Sequence, residues 1–294
     1  MSKTKEQLGR KIFNIFNIVF LGFLALIMMF PFVNVIAGSF ATSLELLQRP
    51  FMIFPYEPTL LSYRYIFSTR TFARSMGISI YVTILGTLIN LVMTFLFAYP
   101  LSHKHLKGRS VIMSLIVFTM LFNGGMIPTF LNVRNFGLLN SLWAVIIPTA
   151  ISTFNLIVVK NFLQQLPEEL KEAARIDGAH ELFILCRIIL PLSLPALATF
   201  GLFYAVGHWN NFFGYLLYIQ DSSLWNVQVL LRQIVTQAAG IGDAEAFQGE
   251  VAIVIPEQGV RNAAILVSTI PILLVYPFLQ KYFAKGALLG SIKG

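Results

Sequence analysis

Six stretches of this sequence, at about 12–38, 76–101, 110–131, 143–161, 193–219 and 262–283, stay apolar for about 20 residues or more. Wound as a helix, a run of that length matches the hydrocarbon thickness of a bilayer, and it is too long for a strand. In lipid the backbone must satisfy its own hydrogen bonds, which makes helices of these segments. The composition agrees, with 56% hydrophobic and 12% charged residues. A soluble domain carries about twice that share of charge, and one soluble core of 294 residues cannot cover so much apolar surface. An ordinary soluble enzyme and a disordered chain are excluded. The one cysteine, Cys186, excludes an internal disulfide and a cysteine-based metal cluster. The expected fold is an all-α membrane protein, six transmembrane helices in a single domain over 1–294.

The net charge of +8 would point to nucleic acid in a soluble chain. Sorted by the sides of the six spans, it has another meaning. One side holds Lys3, Lys5, Arg10, Lys11, Lys104, Lys107, Arg109, Lys160, Lys171, Arg175, Arg187, Lys281, Lys285 and Lys293; the other holds Arg49, Arg64, Arg70, Arg74, Arg134, Arg232 and Arg261. The first side has 14 basic residues against 6 acidic, the second 7 against 7. Positive charge marks the cytoplasmic side, so both termini are expected in the cytoplasm and no nucleic-acid partner is implied. The first stretch follows basic residues as a secretion signal does, but its apolar run is too long for one and reads as a retained span.

Between the fourth and fifth stretches lies an inner loop, about 162–192. Pro167 suits the first turn of a helix, and Glu168 and Glu169 sit where the helix dipole favours anions. Leu170, Ala173, Ala174 and Asp177 recur at i, i+3, i+4 and i+7 and so share a face of small residues. Gly178 allows a sharp reversal, and a second short helix, about 180–189, ends before Leu190-Pro191. Such a helix-turn-helix suits docking into a groove of another protein; a solvated loop with a helix lying on the membrane is the other reading.

Glu172-Ala173-Ala174, three residues, Gly178, nine residues, then Ile188-Ile189-Leu190-Pro191 resembles the EAA loop of ABC importer membrane subunits at full spacing. Other segments agree. Pro58-Thr59 with Tyr63 and Phe67, Ala98-Tyr99-Pro100-Leu101-Ser102, Phe136-Gly137-Leu138-Leu139-Asn140, Trp209-Asn210, and Gln280-Lys281-Tyr282-Phe283 through Gly286 and Gly290 to Lys293-Gly294 resemble the carbohydrate-uptake branch, its MalG-like half. Ser62 stands where that branch usually has Asn. Phe122-Asn123-Gly124-Gly125-Met126-Ile127-Pro128-Thr129 and Gly259-Val260-Arg261-Asn262-Ala263-Ala264 resemble importers of oligosaccharides from complex polysaccharides.

The resemblance implies a permease subunit in a bacterial cytoplasmic membrane. It would work beside a second, homologous permease, two copies of a cytosolic ATPase and an extracytoplasmic binding protein that delivers the sugar. ATP and Mg2+ would bind those ATPases; this chain has no GxxxxGK[ST] phosphate loop and needs no cofactor of its own. The expected contacts to the ATPase are Glu172, Ala173, Ala174, Asp177, Gly178, Ile188, Leu190 and Pro191. Gly290, Lys293 and Gly294, in the tail 284–294, are expected to reach between the ATPases.

Polar residues at bilayer depth are candidates for a solute path. Here they are Tyr204, His208, Trp209, Asn210, Asn211 and Tyr215 in the fifth stretch and Asn123 in the third. Amides bond sugar hydroxyls and aromatic faces cover sugar rings; packing between helices is the other role open to them. The outer basic residues are all arginines, suited to clamping carboxylates, so an acidic, uronate-bearing oligosaccharide is one expectation, and contact with the binding protein is another use for them. An ABC permease for a non-sugar solute shares the EAA loop but not the tail. A secondary transporter calls for deep acidic residues or internal repeats, and the spans contain neither.

Overall fold

The computed structural model describes residues 2–49, 51–238 and 257–291, and among these it is helical with no strand. In chain order the helices are α1 (Ser2–Ser39), α2 (Ser43–Gln48), α3 (Leu61–Ser68), α4 (Arg70–Ser102), α5 (Arg109–Leu121), α6 (Met126–Asn135), α7 (Trp143–Ile146) and α8 (Thr153–Leu163). They continue with α9 (Glu169–Ile176), α10 (Glu181–Ile184), α11 (Leu190–Leu192), α12 (Leu194–Trp209), α13 (Phe213–Tyr218), α14 (Val227–Ala238) and α15 (Glu257–Ser291).

Three of these are long and apolar enough to cross a membrane: Arg10–Ser39 within α1, all of α4, and Glu257–Val275 within α15. The stretches at 110–131, 143–161 and 193–219 are not the straight helices expected from their hydropathy. Each is broken, and the composition at each break gives the reason. Between α5 and α6 the chain turns by 114° at Phe122-Asn123-Gly124-Gly125, where Gly125 takes φ +91° and Asn123 Oδ1 accepts its N–H at 2.9 Å. Pro148 and the Ser152 N-cap accompany a 49° bend between α7 and α8. The fifth stretch starts at an 85° bend around Ser193, with Pro191 before it and Pro195 after, and α12 stops at Trp209 rather than running to 219. Proline removes a backbone donor and crowds the preceding turn, so breaks collect there. Counting each bent pair as one crossing gives up to six.

The chain forms two compact units. The first comprises 1–70 and 233–269. Along α1 nearly every side chain from Arg10 to Phe32 is exposed although the helix is apolar all round, which is the pattern of a helix solvated by lipid. Beyond it the segment 40–68 is irregular with two short helices, as its prolines suggest. It is tied down by Met52 N–H to Asn34 Oδ1 (3.0 Å), Tyr56 N–H to Glu45 Oε1 (2.8 Å) and the Ser39–Tyr63 hydroxyl pair (2.8 Å). Gly38 lets α1 approach α15, since a Cβ there would lie 2.5 Å from Asn262 Nδ2.

The second unit comprises 71–232 and 270–294. Its axis is α4, whose buried side is mostly small or polar: Ser75, Ser79, Gly86, Asn90, Thr94, Ala98 and Ser102, near four-residue spacing. Small residues let helices approach closely where lipid provides no hydrophobic drive. One core packs Phe95, Ala98 and Tyr99 of α4 with Leu156, Val159 and Leu163 of α8 and Ala196, Phe200 and Tyr204 of α12. A second gathers Val82, Val133, Val145, Ile146, Tyr215 and Val229.

Candidate functional site: the loop between α8 and α12

The 162–192 loop folds into the two expected short helices. Glu168 is the N-cap of α9, with Pro167 just ahead of it and Glu169 and Glu172 in the first turn. The helix ends in a Schellman turn: Gly178 N–H donates to Arg175 O (3.0 Å), Ala179 N–H donates to Ala174 O (2.9 Å), and Gly178 takes φ +81°. His180 caps the next helix, its Nδ1 accepting the Phe183 N–H at 3.2 Å.

After α10 the backbone widens into a π turn, Leu185–Ile189, in which Leu190 N–H donates to Leu185 O, five residues back. The Ile188-Ile189-Leu190-Pro191 part of the motif lies across this turn and α11. Inserted turns of this kind are frequent at functional sites. Ile184, Leu185 and Ile189 are buried in the α4–α8–α12 core, with Ile188 and Leu190 half-buried against it and Pro191 exposed.

The face expected on α9 is divided by the fold. Ala174 is buried and packs into the chain's own core, as does Lys171 beside it. Glu172, Ala173, Asp177 and Gly178 are exposed. The outward side is therefore Glu169, Glu172, Ala173 and Ile176, not the Leu170–Ala173–Ala174–Asp177 set. Ile176 is 86% exposed and sequence reading passed over it. Its spacing of three from Ala173 was the available signal, but an eight-residue helix has too few turns to fix its inward side. A hollow of about 430 Å3 opens beside this face, lined by Ala174, Asp177, Gly178, His180, Phe183 and Ile188.

Four further residues, given no role by the sequence, clamp the loop to the end of α4. Arg175 Nε–H donates to Glu181 Oε1 (2.8 Å), and the Tyr99 hydroxyl donates to Glu181 Oε2 (2.6 Å). Arg175 Nη2 meets His103 Nε2 (2.9 Å), and His103 Nδ1 meets Tyr99 O (3.0 Å). Since guanidinium donates and carbonyl accepts, this His103 is neutral with its proton on Nδ1. The Arg175 hydrogen bond holds the Glu181 carboxyl below the usual carboxylate range, and the same bond raises Arg175. Burial lowers the Lys171 ammonium. The tether thus joins the C-terminal end of α9, the start of α10 and the end of α4.

Four of the path candidates are buried within this subunit. Tyr204 shares a 2.8 Å hydrogen bond with the Thr94 hydroxyl and accepts the Ser152 N–H at 3.3 Å. His208 Nε2–H donates to Asn90 Oδ1 at 2.6 Å, and Asn90 Nδ2–H donates to Thr149 O. Trp209 and Tyr215 are buried, and their polar atoms find no partner among the described residues. Asn211 is half-buried and accepts the Gly214 N–H at 3.0 Å. Asn210, in the break after α12, and Asn123, in the break before α6, are exposed. Tyr204 and His208 thus join helices, which is the packing alternative, while the exposed polar side chains lie at the breaks. Gly290 belongs to α15, which runs on to Ser291; Lys293 and Gly294 lie outside the described residues. Among the described residues no cluster of His, Cys, Asp or Glu could hold a metal.

An α-helical chain with broken spans and a clamped two-helix loop is the architecture of an importer's membrane subunit. Residues 102–289 match the family described as the binding-protein-dependent transport system inner membrane component, and the chain belongs to that family. The sequence is 54% identical to the protein LplC of Bacillus subtilis over 97% of this chain and 96% of that one. It is 52% identical to the polygalacturonan/rhamnogalacturonan transport system permease protein YtcP of the same organism, over 95% and 99%. A crystal structure of a bacterial ABC transporter involved in the import of the acidic polysaccharide alginate contains a chain that superposes with TM-score 0.88 at 33% identity, covering 94% of this chain and 98% of that one. The resemblance to carbohydrate-uptake ABC permeases drawn from the EAA loop therefore holds.

Proposed function

We propose that this chain is one permease domain of six membrane crossings, both termini cytoplasmic, in an ATP-driven importer of uronate-bearing oligosaccharides. A second permease completes the path, an extracytoplasmic binding protein delivers the sugar, and two copies of an ATPase hydrolyse ATP beneath it. The observation that carries the reading is the α9–α11 loop. Its Glu169–Glu172–Ala173–Ile176 side faces outward to meet an ATPase, and Ala174 with the Tyr99–Arg175–Glu181 tether fastens the opposite side to α4 and α12. A push on α9 then moves the helices that carry the path. The bends at 122–125 and 150–152 and at Ser193 support movable spans. Names of relatives that import polygalacturonan or alginate support an acidic substrate, and outer arginines suit its carboxylates.

The test is reconstitution of the complete importer with its binding protein. Oligogalacturonate should stimulate ATP hydrolysis and be taken up, and a neutral panel should not. Stimulation by neutral sugars alone rejects the acidic substrate; purification with neither a second permease nor an ATPase rejects the importer. Ala173→Arg, on the outward side, should abolish uptake with the subunit still folded, whereas Ala174→Arg should lower the melting temperature because it places a charge in a core.

A further inference from the structure

An open groove of about 890 Å3 runs along the cleft between α5 and α8. Its mouth carries Lys104, Arg109 and Lys160, and one wall carries Met113, Val117 and Leu121. Neither the importer reading nor the clamp uses any of these.

The three cations make no ion pair among the described residues, where the pairs are Arg49–Glu45 and Arg175–Glu181. Lys160 is 8% exposed, and Arg109 is fixed at the mouth by its Nε–H donating to Leu101 O at 2.9 Å. A buried cation without a counter-charge is costly, so the site calls for an anion. The wall restricts which anion. Met113, Val117 and Leu121 recur at i, i+4 and i+8 and form one apolar ridge, and α5 buries no side chain. From Ser110 to Leu121 the helix rises about 17 Å, roughly the hydrocarbon depth of one leaflet. A small anion would fill the mouth and leave the ridge bare, and a uronate chain offers charge along its whole length where the ridge offers none.

We propose that the groove holds an anionic phospholipid, its phosphate on Lys104, Arg109 and Lys160 and one acyl chain along the Met113–Val117–Leu121 ridge. The choice of the cytoplasmic leaflet, which is the anionic one, rests on the orientation proposed above; the pairing of a cationic mouth with an apolar wall does not.

The test uses the full importer complex purified in detergent and titrated with phosphatidylglycerol, phosphatidylcholine and inorganic phosphate. Bound lipid is read by native mass spectrometry and stability by thermal melting. Phosphatidylglycerol should be retained through purification and raise the melting temperature; phosphatidylcholine and inorganic phosphate should not. Lys104→Gln with Lys160→Gln should weaken phosphatidylglycerol binding about tenfold, roughly the loss of one charge-assisted contact, and the corresponding Lys→Arg pair should restore it. Lys104 is exposed, so Lys104→Gln alone keeps the test decisive where the double variant does not fold. Equal lipid retention by wild type and variant, displacement of the lipid by inorganic phosphate or oligogalacturonate, or protection of the groove from lipid by a partner subunit would each overturn the proposal. Loss of sugar-stimulated ATP hydrolysis in every lipid would instead count against the importer reading.

Discussion

Two polar networks lie along α4 and they are built from different materials. Midway, Asn90 and Thr94 meet His208 and Tyr204 through neutral groups that are all buried. At its C-terminal end Tyr99 and His103 meet a charged pair, Arg175 and Glu181, whose side chains are 36% and 54% exposed. The difference follows from solvation. A charge at bilayer depth is expensive, so the inner network uses amide, hydroxyl and neutral imidazole, each already partnered within the subunit. The outer one stands at the loop, where water screens its charges and makes their separation cheap. The first is suited to holding helices together through a transport cycle, the second to a joint that flexes.

The contrast is broken most severely at Gly86. A Cβ there would lie 2.5 Å from His208 Nε2, so Gly86→Leu has to displace the ring from Asn90. Overpacking and a stranded amide together should cost about 3 kcal/mol. Thermal melting of the purified complex should show a large drop, and an unchanged midpoint would mean that the inner network is not structural. Tyr204→Phe is milder, since it removes one hydroxyl and leaves Thr94 and the Ser152 N–H with one partner fewer, about 1–2 kcal/mol. A double-mutant cycle with Thr94→Val should recover part of that loss, because the second change removes the other stranded hydroxyl.

At the loop the expected effects shrink. Nothing lies within 4 Å of a Cβ built at Gly178, so substitution there meets only the left-handed backbone. Gly178→Ala should cost about 1 kcal/mol and Gly178→Asn less, because Asn tolerates that conformation. Uptake per ATP should follow the same order. If Asn proves as damaging as Ala, the glycine is needed for approach of a partner and not for the turn.

These placements show how far the sequence could be read. Span positions follow from hydropathy and were legible to within a few residues, because burial in lipid is a bulk property. The breaks were harder: Asn123-Gly124-Gly125 and the prolines around Ser193 were visible, but whether such residues merely loosen a helix or turn it by 114° depends on what packs outside it. Gly137 and Asn140 were read as a family turn, and the structure supplies the cause. Asn140, at φ 57°, accepts the N–H groups of Gln220 and Asp221 through its side chain, joining segments 80 positions apart. Tyr99, His103, Arg175 and Glu181 escaped notice for the same reason. Each is unremarkable beside its neighbours in sequence, and only the fold brings Tyr99 to Glu181. For Ala174 the periodicity grouped the right residues but left the inward direction open.

The smallest stability effect, and the most informative coupling effect, belongs to Glu181. Both partners of its ion pair are more than a third exposed, so Glu181→Gln should change stability by no more than about 0.5–1 kcal/mol. Gln keeps an acceptor for Tyr99 but loses the charge that positions Arg175. If the tether carries motion from α9 into α4, the variant should hydrolyse ATP at a normal basal rate while moving less sugar per ATP, and high salt should reproduce the defect in the wild type. The pH dependence has a definite sign. Folding lowers the Glu181 pKa below its ordinary 4.5, so the contribution is complete above that value and is lost only as the pH falls through the lower, folded one. Coupling should therefore be flat across neutral pH on account of this group and fail in acid together with the ion pair. Were Glu181→Gln to leave the sugar-to-ATP ratio intact, the loop would be joined to the path through Ala174 and its apolar core alone.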